Sequence, residues 1–202
     1  MRIHKNTTDS EFKMKVVTLV LFLTGFHLTH SQSFISAISA YPQLSEFTNL
    51  MINNSTLAEL LLATSVVHNV QTILVPSNDA FANYQQTTGH PFESLGPNYI
   101  QRTLQYHTLN MSLTSATLAA QPDVVVSTQL TDPEYDAIGG AENTNLKSKG
   151  QAVYITSTAN PNKFRIRQSP STASVDSGLG SIGTMHVIDG TWSGGRFQIV
   201  DT

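Results

Sequence analysis

A change of period part-way along the chain constrains its fold more than any other feature. From residue 34 to about residue 107, apolar side chains recur at helical spacing. Leu44, Phe47 and Met51 stand at i, i+3 and i+7, and Ile100, Leu104 and His107 share one helical face. From about residue 122 the spacing becomes that of strands. Val124-Val125-Val126 is a short apolar run. Val153 and Ile155 alternate with Tyr154 and Thr156, and Lys163 to Arg167 alternates cationic with apolar. Helices first and strands later predict a single α+β domain.

Local signals refine this outline. Thr56 and Glu59 have capping-box spacing ahead of Leu57, Leu60 and Leu61. Thr72 to Val75 reads as a buried strand stopped by Pro76, after which Ser77 or Asn78 can cap a helix. Asp79 would lie in that helix's first turn, where a carboxylate is favoured, with Phe81 facing the core. Pro97 suits the first position of a further helix. Met185 to Asp189 reads as a final strand, with Asp189-Gly190 as its closing turn. Residues 193–202 then read as a tail or linker.

The N-terminal end reads as an address. Lys13 and Lys15 precede a mainly apolar run of about thirteen residues, Val16 to Leu28, and small residues follow it. A membrane-spanning helix needs about twenty residues, so residues 1–32 read as a signal peptide. Residues 1–13 become an upstream extension if Met14 is the start. Without residues 1–32 the chain keeps 7 basic and 12 acidic residues, a net charge of -5, and no apolar span. That balance argues against nucleic-acid binding. Secretion also gives meaning to the sequons at Asn53, Asn54 and Asn110. The chain has no Cys, so it has no disulfide, thiolate metal site or cysteine nucleophile.

Patterns that carry chemistry are mostly missing. Gly178, Gly180 and Gly183 match G-x-G-x-x-G, but they follow a Ser-rich stretch and lead into a strand, the wrong context for a dinucleotide site. Asp132, Glu134 and Asp136 alternate like a calcium loop, yet Ala137 and Asn143 occupy its Gly and Glu positions. His68, His90, His107 and His186 show no metal-ligand spacing. Ser181 lacks a nucleophile elbow. The reading is of a protein without metal, cofactor or catalytic residues.

Three segments together resemble the fasciclin domain family: Thr72 to Phe81, the Tyr106-His107 segment, and Met185 to Gly190. The resemblance spans residues 33–192. It implies one α+β domain with helices packed on a β-sandwich or wedge. It also implies secreted, cell-surface or cell-wall work in adhesion, by contact with an extracellular protein, a glycan or a second copy. The reading is of a monomer. Thr72, Pro76, Ser77, Asn78, Asp79, Phe81, His186 and Asp189 would carry the structural motif. Tyr106 and His107 would be the partner-contacting pair. His107, beside Ile100 and Leu104, reads first as a packing residue, and Tyr106, on another helical face, as the more exposed of the two. Two other readings stay open. One is an extracellular carrier of a lipid or pigment, which an apolar pocket would favour. The other is a glycan-acting enzyme, which needs two facing carboxylates.

Overall fold

The computed structural model describes residues 32–63, 71–121, 123–131, 151–167 and 181–201. The leader, His68, the Asp132–Asp136 acidic cluster, Gly178 and Gly180 lie outside the described residues.

The described chain begins with helices α1 (Phe34–Ile38), α2 (Ser45–Asn53) and α3 (Ser55–Ala63), with a 3-10 turn at Pro42–Leu44. Strand β1 (Gln71–Pro76) leads into α4 (Asn78–Thr88), a second 3-10 turn at Phe92–Ser94, and α5 (Pro97–Tyr106). Then follow β2 (Thr108–Leu109), α6 (Ser115–Ala120), β3 (Val124–Ser127), β4 (Ala152–Ser157), β5 (Lys163–Arg167), β6 (Ser181–Trp192) and β7 (Gly195–Asp201). The α+β class stands, as do the strands read at 124, 152 and 163 and the proline-led α5.

The strands form one seven-stranded sheet in the order β2-β1-β7-β6-β5-β4-β3. Its two ends meet. Leu109 of β2 bridges Thr128, just past β3, while Asn110 N donates to Ser127 O and Gln129 N to Thr108 O, each at 2.9 Å. This seam satisfies backbone groups that an open sheet would leave at its edges.

Two cores lie on opposite faces of the central strands. Ile73, Val75, Phe197 and Ile199 face the helices and pack with Phe34, Leu44, Phe47, Leu50, Ile100 and Leu104. Leu74 and Val200 face the other way, towards Leu109, Leu118, Val153, Ile155, Phe164 and Met185. The period-2 alternation of β1 and β7 creates this division.

The structure revises three expectations. Residues 195–201 are not a tail: β7 lies mid-sheet, parallel to β1 and antiparallel to β6. Its run Phe197 to Val200 reads as continuous because both of its faces are buried. Asp189-Gly190 does not end the strand. Asp189 has φ +51° and the β6–β7 register shifts between His186 and Gly190, so the pair forms a bulge and β6 continues to Trp192. Asp suits both devices because it tolerates positive φ. Thr56 is not a cap either. Ala58 N donates to Asn54 O, which makes Asn54 the start of α3. The capping box forms instead at α6, between Thr114 and Thr117.

Gly190 is required by a close contact. A Cβ there would stand 2.4 Å from the ring of Phe197, its cross-strand partner. Phe197 is itself 1% exposed and edge-packed on Phe34 and Tyr41. Gly190→Ala is therefore expected to destabilise the fold by about 1–3 kcal/mol through overpacking. Denaturant unfolding measures this, and an unchanged midpoint would show that the ring yields freely.

Candidate binding site

Helix α5 organises the helix-side site. Pro97 sets its first turn, and Ile100 and Leu104 bury one stripe against the first core. Thr103 lies one turn before His107. Its hydroxyl donates to Tyr99 O at 3.0 Å, and its carbonyl accepts from His107 N.

His107 ends the helix against β1. Its Nδ1 lies 3.0 Å from Leu74 O, and Leu74 N donates to His107 O at 2.8 Å. A carbonyl only accepts, so Nδ1 carries the proton and Nε2 is left as an acceptor in the neutral ring. Burial lowers the His107 pKa, and the bond to Leu74, which raises it, does not compensate. The ring is neutral near pH 7.

Beside this helix is a cavity of about 230 Å³. Leu50, Ala80 and Leu104 are its buried floor, and Phe81, Tyr84 and Phe92 are part-buried walls. Phe92 meets Phe81 at 5.8 Å and Tyr84 at 5.5 Å, both edge-on. Tyr99, 52% exposed, stands at the rim, and Thr103 and His107 supply polar atoms. Phe81 thus lies between core and cavity rather than wholly in the core.

Tyr106 does not match its expected exposure. It is half-buried against the second core, its hydroxyl is shielded from solvent, and its ring sits edge-on to His107 at 6.4 Å. The helix ends at Tyr106, and the sheet beyond it takes up the face that helical geometry alone would leave open.

The other motif residues are fasteners. Thr72 Oγ1 donates to Met111 O at 2.7 Å and accepts from Leu113 N at 2.8 Å. Pro76 closes β1. Ser77, not Asn78, caps α4, accepting from Ala80 N at 3.3 Å. Asn78 instead bridges to the start of α2, accepting from Glu46 N at 3.0 Å and donating to Ser45 Oγ at 3.0 Å. Asp79 is exposed in the first turn of α4.

Ser77, His186 and Asp201 come together, but not as a catalytic relay. Ser77 Oγ donates to Asp201 Oδ1 at 2.5 Å, and His186 Nε2 bonds Asp201 Oδ2 at 2.5 Å. The serine proton points at the carboxylate rather than at the histidine, opposite to what nucleophile activation needs. The trio ties the ends of β1 and β7 to β6.

Asp189 is a second fastener. Its carboxylate accepts from Ser115 N at 2.9 Å and Ser115 Oγ at 2.6 Å. Burial pushes the Asp189 pKa up, but Ser115, Gln198 and the charge of Arg196 outweigh it, and the net shift is downward. Gln198, wholly buried, accepts from Ile188 N and Asp189 N and donates to Leu113 O. The sequence reading missed Gln198 and Asp201. A lone Gln inside an apolar strand was the available signal, because a buried amide must be paired.

Gly183 lies within β6, so no helix follows the glycine pattern. Among the described residues, no three His, Asp or Glu side chains cluster as a metal site.

The sequence model of the fasciclin domain matches residues 42–192. The chain belongs to the fasciclin domain family. The fasciclin match ends at Trp192, yet β7 beyond it completes the sheet. Among solved structures, the chain is similar to the FAS1 domain pair of the insect cell adhesion molecule fasciclin I. The identity is 15% and the TM-score 0.45, over 79% of this chain and 44% of that one. No curated protein matches the sequence.

In this fasciclin domain the neutral His107 sets a pH dependence. Below about pH 6.5 the unfolded histidine binds a proton that the folded one resists. The unfolded state then holds more protons, so stability falls as pH drops and is complete above about pH 7. His107→Ala should cost about 1–3 kcal/mol at neutral pH and should flatten the slope of stability between about pH 5 and 7. Chemical denaturation across that range checks both, and an unaltered slope would count against a neutral His107.

Proposed function

We propose that this fasciclin domain is a secreted adhesion or matrix-interaction module. It acts outside the cell as a monomer, by surface contact with a glycan or protein and without catalysis. Family membership supports the adhesion class. Among the described residues, no helix is long and apolar enough to cross a membrane.

The observation that carries the reading is the outer face of β3, β4 and β5. The first core covers the outer side of β1, β7 and the Ile188 to Trp192 end of β6. Beyond it the sheet alternates buried and open positions. Val125, Lys163 and Arg165 are exposed, and Tyr154 and Thr156 are half-buried on the same face. Lys163 and Arg165 alternate along β5, about 7 Å apart, and neither has a salt bridge among the described residues. Unpaired cations on this outer face, with Tyr154 and Thr156 beside them, suit the carboxylates or sulfates of an acidic polysaccharide.

The test is binding to immobilised polygalacturonate and heparin. Lys163→Ser with Arg165→Ser removes two exposed ion pairs of up to ~1 kcal/mol each, so affinity should fall about tenfold. Wild-type binding should also weaken as salt rises. Salt-independent binding, or a double variant that binds as well as wild type, would move the contact to another surface.

Glycosylation belongs to the same reading, and geometry separates the sequons. Asn53 is exposed at the end of α2, and none of the described hydrogen bonds engages its side chain. Asn54 Nδ2 donates to Leu50 O at 2.9 Å. Asn110 Nδ2 spans the seam to Thr128 O at 2.8 Å and Ser127 Oγ at 3.4 Å. A glycan on Asn53 leaves every one of these bonds in place. In protein from a eukaryotic secretory host, Asn53→Gln should remove a glycan mass and Asn110→Gln should not. The reverse pattern would reject Asn53.

A further inference from the structure

We propose that the cavity between α2, α4 and α5 binds a small neutral aromatic molecule carrying one N–H or O–H donor, of the phenol or indole class. This goes beyond surface contact and rests on different residues.

Size comes first. An apolar cavity of about 150 Å³ takes a benzene-sized guest. At about 230 Å³ this one has room for one or two fused rings, not for a long lipid or pigment. The lining supplies the shape. Phe92 stands edge-on to both Phe81 and Tyr84, so together they offer ring faces and ring edges to a flat guest.

Charge comes next. No Asp, Glu, Lys or Arg lines the cavity, and its one titratable base, His107, is held neutral. A charged guest would lose its hydration with no counter-charge in return.

Hydrogen bonding then narrows the class. On the α5 side Tyr99 stands at the exposed rim, and the two polar groups deeper along the helix, Thr103 and His107, have already spent their protons. Thr103 gives its hydroxyl proton to Tyr99 O, and His107 gives its Nδ1 proton to Leu74 O. What these two residues retain is the Thr103 oxygen and His107 Nε2, both acceptors, one helical turn apart. A donor on the guest satisfies an acceptor here. A guest without a donor leaves both unmet, and a site built for a hydrogen bond rejects the analogue that lacks it.

The test is titration of the 15N-labelled chain with phenol, indole, toluene and benzoate, up to roughly 10 mM. Phenol and indole should give saturable amide shifts centred on Phe81, Phe92 and Thr103. Toluene should bind at least several-fold more weakly, and benzoate not at all. Thr103→Val keeps the side-chain shape and should shrink the gap between phenol and toluene. Ala80→Leu fills the floor and should abolish binding of both. The absence of saturable shifts at these amides would overturn the proposal, and so would equal affinity for toluene and phenol. Tighter binding of Gly-Trp-Gly than of indole would also overturn it, since the cavity would then be a pocket for a partner's side chain. None of these readouts depends on Lys163 or Arg165, so the two proposals fail separately.

Discussion

The structure depends on β7 being buried on both faces. Phe197 and Ile199 join the helix-side core, while Val200 joins the core on the opposite side. Each apolar side chain buried there contributes about 1.5–3 kcal/mol. Position matters as much as that sum. β1 pairs with only the two-residue β2 on its other side, so without β7 the short seam beside β2 would be all that joins β1 to the rest of the sheet. The polar residues of β7 reinforce the join. Gln198 holds the β6 bulge and the Leu113 segment, and Asp201 holds Ser77 and His186. Each fastener draws together chain segments that are distant in sequence, and each uses a bond that is shielded enough to count.

That arrangement determines where the helix-side cavity can be. β1 is clamped by β7, and Leu74 of β1 grips His107 through both its amide and its carbonyl. The end of α5 is therefore set by the sheet. α4 is placed by Ser77 and Asn78, at the junction of β1 with α2. The two helices stand on a rigid frame, and Ala80 is too small to fill the space between them. A pocket built on such elements keeps its shape, which is the condition for selecting a guest by hydrogen bonding. The same grip leaves both rings of the Tyr106-His107 pair half-buried. One ring is bonded to a strand and the other packs against the inner core.

Much of this was legible in the sequence, and the misses share a cause. The helical and alternating periods gave the class and most of the elements, because Leu44, Phe47, Ile100 and Leu104, or Val153 and Ile155, each report one buried face. Errors arose where a residue's surroundings come from distant chain. Phe197 to Val200 looked like a tail because burial on two faces leaves no alternation to read. Asp189-Gly190 looked like a turn because a bulge and a turn need the same tolerance of positive φ. Tyr106 looked exposed because α5 was read as a helix with one buried side, whereas a sheet covers part of its other side. Asn78 and Ser77 were equally plausible caps until α2, 32 residues earlier, claimed the side chain of Asn78. The cavity gave no local signal, since a hollow is defined by atoms that are missing between α2, α4 and α5.

The lack of cysteine acquires a structural meaning in this light. Without cysteine the domain cannot use disulfides, and the closed sheet takes over part of their task. A disulfide restrains the chain by tying distant residues together. The seam at Leu109 and Thr128 does so through hydrogen bonds that also remove two sheet edges. Asn110 is the side chain that reinforces the seam from outside. Its side-chain amide donates to both Thr128 O and Ser127 Oγ, on the far side of the seam. The bonds that close the fold thus lie at the end of β3, while the outer side of the same strand stays open at Val125.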